Sequence, residues 1–225
     1  MPFEGVPSSV ILPGVDLEQC RSGDGTRGRK AFEIPDDAQV ISMFARVVPQ
    51  KGQADFVHCL GRLAASHPDL YGVMCGPGDR TGDYWRQLES LKAQYGLADR
   101  LFMPGDIRPP LKDDIVAGSD VVVHPARSEP FGLAVVEAMA AGKPVVAAKT
   151  DGPLLLIEDG VDGVLVDPED VEHLSEAVGR LLDDPALRSA LGGRARHTAE
   201  RYQVDAMVGR IEDLWDVVLS RRRPT

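Results

Sequence analysis

The amino-acid sequence predicts an α/β fold built on a doubly wound parallel sheet with extra C-terminal helices, and three observations carry that expectation. Short β-branched runs such as Val121-Val122-Val123 and Val145-Val146 have the length of buried strands. Segments with apolar residues at helical spacing lie between such runs, so strand and helix alternate through the body of the chain. Val, Leu, Ala and Gly are plentiful while aromatic residues make up 5%, as in α/β rather than all-β proteins.

Residues 1–30 are poor in periodicity and rich in Gly, Pro, Ser and Arg, which predicts a linker or irregular arm. Within it Gly23-x-Gly25-x-x-Gly28 satisfies the dinucleotide-binding pattern literally. No clear strand feeds it, however, and Arg27, Arg29 and Lys30 fall where a packed helix should begin, so it reads as flexible linker. Residues 31–225 are expected to form one domain. Val40 to Ala45 is its first strand, and Phe56, Val57, Leu60, Leu63 and Ala64 mark a helix between Gly52 and Ser66. Leu70 to Cys75 is the second strand, closed by Gly76-Pro77-Gly78-Asp79. A helix over Tyr84 to Tyr95, a short third strand at Leu101-Phe102-Met103 and a short helix over Lys112 to Ala117 follow. The Val121 and Val145 strands flank one more helix, and Gly163 to Val166 is the last strand. Three helices close the chain, at Asp170–Leu182, Pro185–Arg201 and Val204–Arg221. The last carries an apolar stripe through Met207, Val208, Ile211, Leu214, Trp215 and Val218, expected either to pack on the sheet or, without a further domain to cover it, to leave part of the Trp215 surface exposed, and ends in the solvated tail Arg221-Arg222-Arg223.

The chemistry concentrates in Ser128-Glu129-Pro130-Phe131-Gly132-Leu133-Ala134-Val135-Val136-Glu137. Pro130 excludes helix at its own approach and Gly132 permits close backbone contact, so the N–H groups of Phe131, Gly132 and Leu133 should point outward at the first helical turn. That is an anion site suited to phosphate. Glu137 follows Gly132 by five residues, about 7 Å along the helix axis. A carboxylate there matches the two hydroxyl donors of a ribose diol, and Glu129 would face whatever hangs on the far side of the phosphates. An isolated glutamate is ordinarily a solvated charge; the spacing of these two is what sets them apart. Arg46 and Lys51 bracket a proline turn at the C-terminal end of the first strand, where open α/β sheets place ligands. A rigid guanidinium and a mobile ammonium together suit a departing diphosphate.

The Glu129-x7-Glu137 phrase with Pro-Phe-Gly-Leu after its first Glu resembles the signature of retaining, two-domain (GT-B type) glycosyltransferases of family 4. The Arg46-x4-Lys51-Gly52 phrase resembles the cation motif of the same family, with Ala45 in place of its usual Gly. The resemblance implies that Arg46 and Lys51 contact the donor diphosphate and that Glu129 contacts the donor sugar. It further implies that the Phe131, Gly132 and Leu133 amides meet phosphates and sugar, and that Glu137 holds the ribose. The turn at Gly76 resembles the family's Gly-rich turn, and Asp106 and Ile107 occupy the place where the base is held, largely through backbone; the Asp106 side chain itself reads as an ordinary loop carboxylate. Val10-Ile11-Leu12-Pro13-Gly14-Val15-Asp16 resembles the segment entering the second domain of these enzymes. The chain is therefore expected to be a Rossmann-like, C-terminal donor-binding domain that works with an N-terminal acceptor-binding domain. Where relatives read close to Thr-Gly-Gly-Pro-Leu-Glu, this chain has Asp151 for a Gly and Leu155 for the Glu. A carboxylate at Asp151 either repels phosphate or accepts a sugar hydroxyl.

A formal charge of −10 with no basic stripe disfavours nucleic acid and anionic membranes as partners. Cys20, Cys59 and Cys75 are scattered and odd in number, which suggests reduced thiols in the cytoplasm rather than a disulfide framework. No apolar run reaches the about 20 residues of a membrane helix. The five histidines show no metal-ligand spacing, so no metal is expected; His124 stands apart because it ends a central strand near the proposed site, although a structural role ranks ahead of a chemical one. No cofactor is expected beyond the substrate, a nucleoside diphosphate sugar linked to UDP, GDP or ADP. Two functions fit this reading: the donor-binding half of a glycosyltransferase, or a stand-alone nucleotide-sugar binding module without turnover.

Overall fold

The computed structural model describes residues 8–220. Six strands form one sheet: β1 (Gln39–Phe44), β2 (Leu70–Cys75), β3 (Leu101–Gly105), β4 (Val121–His124), β5 (Val145–Ala148) and β6 (Val164–Val166). Their spatial order is β3-β2-β1-β4-β5-β6, and every pairing is parallel. From β1 the chain winds outward through β2 and β3, then returns to lay β4 on the other side of β1. The β1/β4 junction is thus the topological switch point, where connections leave in opposite directions and open a crevice at the strand C-termini.

Helices cover both faces, which is why the strands read as continuous apolar runs rather than alternating ones. Side chains of β1 divide between two cores. Ile41 and Met43 pack with Phe56 and Leu60 of α3 (Gln53–Leu63) and with Leu181 of α8 (Val171–Asp183). Val40 and Phe44 pack on the opposite face with Val136 and Met139 of α6 (Leu133–Ala140) and Ala195 of α9 (Pro185–Ala199). Strand and helix positions agree with the sequence expectation to within a few residues. One expected loop differs: Asp151–Leu156 forms the short helix α7.

The expectation of an irregular arm is corrected. Residues 17–30 contain α1 (Leu17–Arg21) and α2 (Gly25–Lys30), capped by Asp16 and Asp24. The glycines that suggested flexibility instead let α2 approach α5 (Leu111–Gly118) at backbone distance: a Cβ on Gly28 would stand 2.2 Å from the Asp114 carbonyl oxygen. Arg27 reaches around this contact and donates to both Asp114 oxygens, at 2.9 and 2.7 Å. N-terminal to α1, Val15 exchanges backbone hydrogen bonds with Tyr202 and Val204.

The final helix is α10 (Val204–Ser220). None of its residues is buried, and Trp215 is 65% exposed, so its stripe does not pack on the sheet. The tail Arg221-Arg222-Arg223 lies outside the described residues.

Candidate functional site

The loop after β1 is a folded turn held from several directions. The Arg46 carbonyl accepts from Gln53 Nε2 at 2.7 Å, and the Val47 N–H donates to the Pro77 carbonyl at 2.8 Å. Pro49–Lys51 is a single 3₁₀ turn ended by Gly52, whose φ of +75° suits glycine. A Cβ on Gly52 would lie 2.1 Å from the Pro125 carbonyl oxygen, so this loop and the one after β4 touch at backbone distance.

Across that contact Lys51 Nζ donates to Glu129 Oε2 at 2.8 Å and to the Ser128 carbonyl at 3.1 Å. His124, buried at the end of β4, places Nε2 3.2 Å from the same Glu129 oxygen. His124 and Lys51 outweigh the effect of burial and hold the Glu129 carboxyl down at about 2. Glu129 is therefore ionised at neutral pH, with Oε2 saturated by cationic or N–H donors.

The Glu129 main chain is fixed as well. Its carbonyl accepts the Gly152 N–H at 2.8 Å, and a Cβ on Gly152 would fall 2.1 Å from the Phe131 carbonyl oxygen. The segment after β5 therefore clasps the segment before α6, and Asp151 stands exposed beside that clasp at the start of α7. Gly132 takes φ +99° as the N-cap of α6. Among the described residues, the amides of Gly132 and Leu133 donate to no protein acceptor. The expectation for Phe131 is corrected: its N–H points back at Glu129 Oε1, at 3.4 Å, because the Pro130 turn folds the Glu129 side chain over it.

A cleft of about 310 Å³ opens beside these loops and is lined by Arg46, Gly76, Asp106, Ile107, Leu133 and Glu137, all expected site residues. Gly76 is needed for close approach, since a Cβ there would stand 1.8 Å from the Ala45 carbonyl oxygen. Lys112 Nζ enters the same cleft and donates to Glu137 Oε2 at 2.5 Å. Lys51, Glu129, Phe131 and Gly132 form a neighbouring group at the β1/β4 switch point and do not line this cleft. Sequence reasoning placed Lys112 only at the start of a short helix and missed it as a site residue. His124, singled out in the sequence for its place at a strand end near the site but ranked as structural, is in hydrogen-bonding distance of Glu129.

The β1/β4 switch point of this α/β domain thus carries an ion-paired glutamate beside the N-terminus of α6. The chain belongs to the family of glycosyl transferases group 1, which it matches over residues 25–198. It is 32% identical over 219 residues to a D-inositol 3-phosphate glycosyltransferase of Acidothermus cellulolyticus, covering 95% of this chain and 49% of that protein. The corresponding protein of Geodermatophilus obscurus is 35% identical, over 88% of this chain and 46% of its own length. The chain thus spans about half the length of the curated relatives it matches. Among solved structures, Anabaena HepE in complex with UDP and glucose superposes with a TM-score of 0.86 at 27% identity, over 93% of this chain and 57% of that one. The C-terminal domain of a glycosyl transferase group 1 family protein from Francisella tularensis superposes with a TM-score of 0.77 at 25% identity, over 85% of this chain and 100% of that one. The sheet and its flanking helices are the Rossmann-like fold of GT-B glycosyltransferases. Among the described residues no helix is long and apolar enough to cross a membrane.

Proposed function

We propose that this chain is the C-terminal, donor-binding domain of a family 4 type glycosyltransferase that transfers a sugar from a nucleoside diphosphate sugar with retention at the anomeric carbon and without a metal ion. The observation that carries the proposal is the convergence of Lys51 and Glu129 at the β1/β4 switch point, beside a cleft lined by Arg46 and Glu137. In this reading Arg46, Lys51 and the free amides of α6 neutralise the diphosphate as it departs, the role a metal would otherwise fill. Glu129 accepts sugar hydroxyls through Oε1, and Glu137 accepts the ribose diol. Gly76, Asp106 and Ile107 border the base. Donor binding exchanges the Lys51–Glu129 and Lys112–Glu137 pairs for contacts to the ligand. The Glu-x7-Glu resemblance supports retention, and the UDP and UDP-glucose held by Anabaena HepE support a uracil base. The acceptor site falls to an N-terminal domain, in cis or on a separate chain. Three free, buried cysteines suit the cytoplasm.

Calorimetric titration with UDP, GDP and ADP and their glucose conjugates, without added metal, tests the proposal. Binding of one base, weakened in Lys51→Ala, supports it. Wild-type affinity in Lys51→Ala removes Lys51 from the site. Failure of all six ligands to bind at millimolar concentration overturns the donor-site reading for this chain.

A further inference from the structure

Arg127 is an exposed-looking loop residue between the last strand residue of β4 and Glu129, yet it makes more polar contacts than any proposed ligand-binding residue of the two loops. Its N–H donates to the Gln50 carbonyl at 2.9 Å and its Nη1 to the Pro49 carbonyl at 3.1 Å. Nη2 donates to both oxygens of the buried Asp55, at 3.3 and 3.2 Å. Nε pairs with Glu169 at 2.8 Å. Asp55 lies on α3, just past Lys51, and Glu169 lies on the loop after β6 with a left-handed φ of +66°. Arg127 thus ties together the loops after β1, β4 and β6: its backbone N–H and one guanidinium nitrogen each hold a carbonyl of the turn that carries Lys51.

We propose that Arg127 is a positioning residue for donor binding, holding the Pro49–Lys51 turn against the Ser128–Glu129 loop so that Lys51 is aimed at the diphosphate. The inference rests on the donor-site reading above. Without the guanidinium, the bond to the Pro49 carbonyl and the ties to Asp55 and Glu169 are lost while the main-chain bond to Gln50 remains, so the turn that carries Lys51 is held less closely and the ammonium must be ordered again when the ligand arrives. A guanidinium serves here because its planar fork reaches a main-chain carbonyl and two carboxylates at once. A lysine is a single point charge and satisfies only part of this set.

The test is a double-mutant cycle on the whole chain, read by calorimetry with UMP and UDP. Arg127→Met is expected to weaken UDP about tenfold, to leave UMP within about twofold, and to add less than about twofold in a Lys51→Ala background. Equal losses for UMP and UDP, or the same UDP loss in both backgrounds, overturn the proposal, because a residue that merely supports the fold acts regardless of Lys51. Should Arg127→Met fail to fold, Arg127→Lys carries the same cycle with the same two outcomes. If the parent chain binds UDP through Lys51 and the cycle is additive, Arg127 alone is refuted. If the parent binds no nucleotide, the donor-site reading falls and the Arg127 proposal with it.

Discussion

Lys51 Nζ stands 2.8 Å from Glu129 Oε2, although 78 residues separate the two in sequence. The pair exists because β1 and β4 are neighbours in the sheet, so the loops leaving their C-termini meet over the same crevice. Each side chain is only 15% exposed. In that setting salt screens the pair less than a surface ion pair, and removal of Glu129 leaves Lys51 without its carboxylate partner.

Removal of the cation is the most direct check. Lys51→Ala and Arg46→Ala are each expected to weaken UDP by about 1–3 kcal/mol while sparing uridine. Titration of both ligands measures the difference.

Glu137→Gln is expected to behave differently. The ribose is common to UMP and UDP, so loss of the carboxylate should weaken both by the same factor, about tenfold. A loss confined to UDP removes Glu137 from the ribose position.

Glu129 makes stability depend on acid. Its carboxyl titrates at about 2, below the ordinary 4.5, because His124 and Lys51 favour the charged form. A depressed pKa stabilises the fold fully above pH 4.5, and that contribution is lost as the pH falls through about 2. Urea unfolding of Glu129→Gln between pH 5 and 2 should show a flatter pH dependence than the parent, by about 1–3 kcal/mol across the range.

The N-terminal helices are expected to matter to stability and not to the ligand. Gly28→Ala places a Cβ 2.2 Å from the Asp114 carbonyl oxygen, which forces α2 and α5 apart. A loss of about 2–4 kcal/mol in urea unfolding, with UDP affinity retained, is the expected result.

Burial pushes the thiols of Cys20, Cys59 and Cys75 up to about 12. Iodoacetamide at pH 8 should leave the native chain unlabelled and label all three after unfolding, as mass spectrometry would record.

Much of this molecule was legible in its sequence, for local reasons. Strands such as Val121–His124 and helices such as Gln53–Leu63 declare themselves through apolar periodicity, because burial acts on each short segment separately. The cleft residues Arg46, Gly76 and Glu137 were legible too, since ligands gather at strand C-termini and helix N-termini whose positions follow from the elements. What the sequence by itself determined was therefore the order of elements and the parallel sheet, with the strand ends and helix N-terminus around which the cleft residues gather. Tertiary structure alone decided the rest. The glycines at 23, 25 and 28 read as flexibility until α5 was seen against them, because a missing side chain permits either loose chain or close packing. Arg127, His124 and Lys112 likewise take their roles from the folded chain. Their partners Asp55, Glu129 and Glu137 come from other segments or other faces of the same loop, and only the folded chain brings those charges within hydrogen-bonding distance.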